Sequence, residues 1–170
     1  MINCKPDGVI RLRHLLAKDA ATIENWPAYP PPFEDLDYAL RKDGWIAEFR
    51  SQPNTCIYAA EQSGELIAFS IISKTSPGTA EFRIALRADK AGQGFGKIIT
   101  VKTLEIGFDE IRLKRIYLIV RKNNRRAIEL YQRLNFSHCG ECLKIINNKK
   151  TDFLIMEIFR KNFICARPIF

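Results

Sequence analysis

The 170-residue chain is 46% hydrophobic and 11% aromatic, which excludes disorder and fits one domain, since a second would be too small to bury its own core. Its apolar runs, such as Ile116 to Val120, are a handful of residues against the roughly 20 that span a bilayer, which excludes a membrane helix. The net charge of +8 is concentrated in residues 83–133, with 13 Lys/Arg against 5 Asp/Glu, so this stretch is expected either to face something anionic or to form a solvated basic surface.

The start, Met1 to Gly8, lacks the apolar stretch of a secretory signal, and five scattered cysteines read as thiols in a reducing compartment. A cytoplasmic location is the expectation.

Alternation from Val9 to Leu15 predicts a first strand, with Ile10, Leu12 and His14 on its apolar side. Asp19 is the predicted cap of a short helix reaching Trp26. Pro27, Pro30, Pro31 and Pro32 then impose an extended loop, because each fixes φ and restricts its predecessor. Residues 33–50 are helical in pattern with a break at Asp43-Gly44. Cys56 to Glu61 and Leu66 to Ser73 read as strands around the hairpin turn Gln62-Ser63-Gly64-Glu65. Ser76-Pro77-Gly78 makes the next turn, into a strand from Thr79 to Arg87. Glycines 92, 94 and 96 precede a helix predicted from Lys97 to Phe108. A buried strand, Arg115 to Val120, leads to an amphipathic helix, Asn124 to Leu134, with Ala127, Leu130, Tyr131 and Leu134 at helical spacing. Strands Phe136 to Ile146 and Thr151 to Phe159 flank Asn147-Asn148, and residues from Lys161 onward are not assigned. This order predicts an α/β (mixed α+β) fold, with a sheet carrying helices packed on it.

The segment Ala91-Gly92-Gln93-Gly94-Phe95-Gly96-Lys97 joins a strand to a helix. Glycines let the backbone approach a ligand with no Cβ in the way, and the amides and dipole of a helix start attract phosphate. The spacing does not fit a P-loop, where Gly92 would stand further from Gly96-Lys97 and a hydroxyl would replace Ile98. Nor is it the Gly-x-Gly-x-x-Gly of a dinucleotide fold after a first strand. On its own the loop is also compatible with a plain structural turn.

The run Ala80-Glu81-Phe82-Arg83-Ile84-Ala85-Leu86 through Gly96 resembles motif A of the GNAT superfamily, in the branch of ribosomal-protein N-terminal and spermidine acetyltransferases. That motif ends in Arg/Gln-x-x-Gly-x-Gly/Ala; Ala91 stands at the Arg/Gln position, and Gly94-Phe95-Gly96 is intact. Further on, Asn124-Arg125-Arg126-Ala127-Ile128-Glu129-Leu130-Tyr131-Gln132-Arg133-Leu134-Asn135-Phe136 is similar to the family's Asn-x-x-Ala-x-x-Leu-Tyr-x-x-x-Gly-Phe. Asn135 takes the place of a glycine that would end the helix in the left-handed conformation, which Asn tolerates next best.

The resemblance covers about residues 56–159. It implies a single N-acetyltransferase domain over 1–170, with motif A at about 79–108, motif B at about 115–136 and a mostly antiparallel twisted sheet of about seven strands flanked by helices. It also implies acetyl-CoA as cosubstrate. The backbone around Leu86, Arg87 and Ala88 would meet the pantetheine arm, and Ala91, Gly92, Gln93, Gly94, Phe95, Gly96 and Lys97 the pyrophosphate. Asn124, Ala127 and Tyr131 would lie near the thioester.

Acetyl transfer from a thioester needs a neutral amine and a proton for the departing thiolate. An alkylamine of pKa about 10.4 is neutral in roughly one molecule in 2,500 at pH 7, so a base matters. Tyr131 is the general-acid candidate, against its reading as a core tyrosine. Glu81 is the base candidate, sharing a strand face with Arg83 and Ala85; the alternative is a surface Glu paired with Arg83. His14 reads as core rather than catalytic. His138 precedes Cys139-Gly140-Glu141-Cys142, but no second pair completes four zinc ligands, so no metal is expected.

Glu24, Glu34, Asp35 and Asp37 around Tyr29 either suit a cationic acceptor, a small-molecule amine or a protein N-terminus, or form a solvated loop. Two other classes stay open: an acyl-CoA binder without turnover, and a nucleic-acid module using the cluster from Arg121 to Arg126, disfavoured because exposed aromatics do not interleave it. No membrane partner is expected, and a homodimer is an open expectation.

Overall fold

Ser63 and Gly64 take φ of 50° and 80°, the two positive values of the tight turn whose twist matches that of the strands it joins. They connect β2 (Thr55–Gln62) to β3 (Glu65–Ser76) in the antiparallel register Gln62↔Glu65. Asn147 and Asn148 repeat the solution, with φ of 49° and 62°, between β6 (Ser137–Ile146) and β7 (Lys149–Phe159). Pro77 followed by Gly78, at φ 72°, turns β3 into β4 (Thr79–Leu86). With β1 (Ile10–His14) and β5 (Arg115–Arg121), these strands form a seven-stranded mixed sheet in the order β1-β2-β3-β4-β5-β7-β6. These features are those of a computed structural model that describes residues 8–166.

The chain divides into two compact units, Met1–Ser73 with Arg83–Thr103, and Lys74–Phe82 with Leu104–Phe170. In the first, β1, β2 and β3 pair antiparallel, and β3 is buried almost without interruption because helices cover both of its faces. One apolar cluster joins Ile23 and Trp26, Leu40, Ile46 and Phe49, and Phe69, Ile71 and Ala85. A second joins Ile10, Ala60, Ile67 and Ala68 to Phe95 and Ile99, with Ile84 and Leu86 against it. β4 therefore sends Ile84 and Leu86 to one side and Ala85 to the other, as its alternation predicts.

In the second unit β5 pairs with β7 and β7 with β6, both antiparallel, while β4 and β5 pair in parallel over only Thr79–Glu81 and Arg115–Tyr117. A helix, α4 (Arg125–Arg133), precedes β6, and α5 (Arg160–Ala166) occupies part of the unassigned tail. Asn135 sits at φ 65° just after α4, as predicted for its position.

Several local expectations change. Residues 34–40 form a 3-10 helix rather than an α-helix, and only α2 (Trp45–Arg50) beyond Gly44 is α-helical. The glycine-loop helix, α3 (Phe95–Glu105), starts two residues early and ends in a π-helical turn, Ile106–Glu110. His14 is exposed and tilted against Tyr58 at 5.1 Å, not in the core, since it closes β1 where burial runs out.

Asp19 does not precede its helix, α1 (Ala17–Glu24), but lies inside the first turn. Its carboxylate accepts from the Leu16 amide at 2.7 Å and from both Arg13 terminal nitrogens at 2.6 and 3.0 Å. These bonds, the Arg13 contact first, hold the Asp19 carboxyl below its ordinary 3.8. A lowered folded-state value stabilises the protein above pH ~4, and that contribution disappears as pH falls through the lowered value. Asp19→Asn is accordingly expected to cost about 1–3 kcal/mol at pH 7. The gap to the wild type should close in acid, as urea denaturation at the two pH values will register.

Candidate active site

β4 ends at Leu86, a 3-10 turn (Ala88–Lys90) follows, and the chain enters α3 through Gly92 at φ 77° and Gly94 at φ 90°. Both angles lie in the region that only glycine adopts freely. A Cβ built on Gly94 meets nothing within 4 Å, so its surroundings are open. Phe95, 3% exposed, anchors the helix start in the core, so only its amide faces the role expected of it.

Among the described residues, none of the amides of Gly92, Gln93, Gly94, Phe95, Gly96 and Lys97 donates to a main-chain carbonyl. A helix start leaves such amides unpaired by construction and carries partial positive charge. Here they combine with glycine-opened space and the exposed Lys97 side chain. The loop is braced from behind, since the Gln93 amide group donates to Asp89 O at 2.6 Å and the Ala91 amide to Ala88 O at 3.3 Å. Ala91 thus supports the cradle rather than lining it.

Arg87 is placed differently from its expected role. Its amide donates to Ile67 O at 2.8 Å, and its guanidinium is held by Glu65 at 2.7 Å and Asp89 at 2.6 Å. Neither group is spare for a pantetheine arm. Alternation then turns the main chain of Ile84 and Leu86 away from β3, toward the side where the ladder to β5 has ended at Glu81.

Asn124 and Ala127 are spent on each other: the Asn124 side chain caps α4 by accepting from the Ala127 amide at 3.2 Å. α4 therefore starts with a satisfied cap, whereas α3 starts open, and this difference separates the two helix starts as anion sites. Asn124→Ala is expected to cost about 1 kcal/mol in a chemical melt. Its Kd for CoA should stay within about twofold, and a tenfold rise would return Asn124 to the carrier site.

Tyr131 is 7% exposed and packs against Phe136 at 5.5 Å. Burial alone pushes its phenol above the ordinary value of 10, so it is fully protonated at neutral pH. Glu81 lies on β4 in register with Tyr117 of β5, half-buried. Arg83 lies with its guanidinium 5.0 and 4.8 Å from the Trp45 and Phe49 rings.

The acidic loop is less available than its composition suggests. Asp37 binds Arg41 through both oxygens, at 2.6 and 2.5 Å, and Arg41 also donates to Glu24 O and Trp26 O. Glu24 and Glu34 have no ion-pair partner among the described residues. In the basic cluster Arg121 is buried and Lys122 is paired with Glu141 at 2.7 Å, so the run is not a continuous phosphate-facing surface. Cys139 and Cys142 are free thiols, Cys139 at the β-bulge of β6, and no metal-holding group of His, Cys, Asp and Glu occurs among the described residues. No helix among them is long and apolar enough to cross a membrane.

A match over residues 19–136 shows that the chain belongs to the acetyltransferase (GNAT) family. It is an N-acetyltransferase that uses acetyl-CoA.

Among curated proteins it is similar to the spermidine N(1)-acetyltransferase of Escherichia coli K12, 32% identical over 160 residues covering 91% of this chain and 83% of that one. The Vibrio cholerae spermidine N(1)-acetyltransferase is 28% identical over 163 residues, covering 92% and 91%. The fold matches the crystal structure of the Vibrio cholerae spermidine N-acetyltransferase in complex with CoA and spermine at a TM-score of 0.76, with 21% identity and coverage of 91% and 98%.

Proposed function

We propose that the chain transfers an acetyl group to a primary amine of a small, multiply charged polyamine-type cation, by direct attack in a ternary complex. The observation that carries this reading is the row of undonated amides from Gly92 to Lys97 beside open space at Gly94. Those groups suit a diphosphate, and the β4 edge beyond Glu81, where its ladder to β5 has ended, suits the amide-bearing arm behind it. Acetyl-CoA, when bound, supplies a thioester-activated acetyl group.

The residues divide the proton work. Glu81 takes the proton that leaves the attacking nitrogen, directly or through water, and Tyr131 supplies the proton that the departing sulfur requires. Glu24 and Glu34 attract the cationic acceptor, whereas Asp37 is neutralised by Arg41. The similarity to spermidine acetyltransferases supports this acceptor class over a protein N-terminus.

The reading treats residues 1–170 as one acetyltransferase domain, with motif A at about 79–108 and motif B at about 115–136, working in the cytoplasm without a metal. It includes a homodimer, supported by the edge position of β6 and the exposed Leu143 and Ile145 on it. Sedimentation at micromolar concentration tests that part.

Thermal shift with CoA, ATP and NAD is the first test of the site. A ligand at 100 times its Kd stabilises by about 2.7 kcal/mol, so CoA should move the melting curve and the other two should not. Thiol release with spermidine, spermine and N-terminal peptides then tests the acceptor. Turnover on peptides alone would overturn the polyamine assignment.

A further inference from the structure

The C-terminal end of the β4 edge is not vacant. The Leu86 carbonyl, which alternation aims away from β3, accepts a hydrogen bond from the Tyr29 hydroxyl at 2.5 Å, across 57 residues of chain. Tyr29 belongs to the proline segment, and its own amide donates to Asp37 at 3.4 Å. Asp37 in turn holds Arg41, whose guanidinium clasps the Glu24 and Trp26 carbonyls at 2.8 and 3.0 Å. The loop is thus closed on itself by Asp37 and Arg41, and Tyr29 ties it to β4.

Burial, with the Asp37 carboxylate adding to it, pushes the Tyr29 phenol well above 10, so the hydroxyl remains a donor at every physiological pH. A part-buried carbonyl at a strand edge gains from a donor, and an incoming amide aligned with that edge would need the same carbonyl.

We propose that Tyr29 is a positioning residue that occupies the Leu86 carbonyl in place of the carrier's arm, so that carrier binding exchanges this hydrogen bond and releases the proline loop over residues 27–37. This rests on the reading of the β4 edge as the arm's site. Carrier occupancy and the loop that carries Glu34 are then linked through one carbonyl, and the loop opens when the acyl donor is in place.

Two measurements on the full chain test it, with CoA as the probe. Tyr29→Phe keeps the ring and removes the donor. Calorimetry is expected to show CoA binding this variant roughly 2–10-fold more tightly than wild type, the range of one net neutral hydrogen bond. Amide hydrogen exchange over residues 27–37 is expected to quicken several-fold when CoA binds wild type, and to be already fast in Tyr29→Phe with no further change on adding CoA.

Equal or weaker CoA binding by a variant with a normal melting curve overturns the proposal, as does loop exchange that CoA leaves unmoved in wild type. Should the variant fold poorly, the wild-type exchange alone decides. CoA binding to neither protein would instead defeat the carrier-site reading itself, a separate result.

Discussion

Tyr131→Phe is expected to lower kcat by about 10²–10⁴-fold, the usual contribution of a positioned proton donor, while the Kd for CoA changes by less than about twofold. The variant loses one oxygen and keeps the ring that packs on Phe136, so the fold should not respond. The direction of the Tyr131 shift sharpens the expectation. Desolvation raises the phenol above 10, so it does not ionise between pH 6 and 9, and no alkaline fall in rate over that range can come from it.

A raised phenol is also a weaker acid than the thiol it would protonate, whose ordinary value is about 8.5. Full transfer to a free thiolate is therefore uphill, so the hydroxyl acts chiefly by hydrogen-bonding the sulfur as carbon–sulfur cleavage builds charge on it, which makes it matter in the transition state more than in the bound complex. Loss of kcat with CoA binding retained is the corresponding kinetic signature. Stopped thiol release with intact CoA affinity supports the assignment. A variant that turns over within threefold of wild type removes Tyr131 from the chemistry, and a wild type that binds CoA and releases no thiol with any amine leaves a binder.

Gly44→Ala is expected to cost about 3 kcal/mol, at the upper end of what overpacking usually costs. A Cβ at this position would lie 2.3 Å from Tyr38 O, 2.7 Å from Ala39 O and 2.8 Å from Ala39 C. All three are main-chain atoms of the 3-10 helix, which cannot rotate aside as a side chain would. The glycine is needed for close approach rather than for its φ, which is an ordinary −84°.

At about 2–4 °C per kcal/mol for a chain of this size, the melting temperature should fall by roughly 6–12 °C. The damage should centre on α2, whose Trp45 and Phe49 rings flank Arg83. A shift under 2 °C would mean that the 3-10 segment yields easily and is not the rigid wall its packing suggests.

Much of the fold is legible in the residues. Ser63-Gly64, Pro77-Gly78 and Asn147-Asn148 announce their turns because Gly and Asn take positive φ cheaply and Pro presets the negative φ that opens its turn. Period two holds in how the end of β4 packs, with Ile84 and Leu86 against one apolar cluster and Ala85 in the other, though burial itself does not alternate across Arg83 and Ile84. The 3-10 helix at residues 34–40 was not legible, because 3-10 and α-helix share nearly the same spacing of apolar residues and differ in which carbonyl each amide reaches. Asp19 misleads for a related reason: a carboxylate can cap from within the first turn as well as from before it, and Arg13 across the loop selects the inner place.

The site divides along the same line. The sequence alone determines the glycine loop, the open helix start and the left-handed Asn135, because each depends on the conformational range of one residue and its immediate neighbours. Only the tertiary structure decides that the Arg87 amide belongs to Ile67 and that Tyr29 reaches Leu86. Which donor meets which acceptor depends on groups brought together by burial, several of them from distant parts of the chain, and no local preference of either residue encodes that choice.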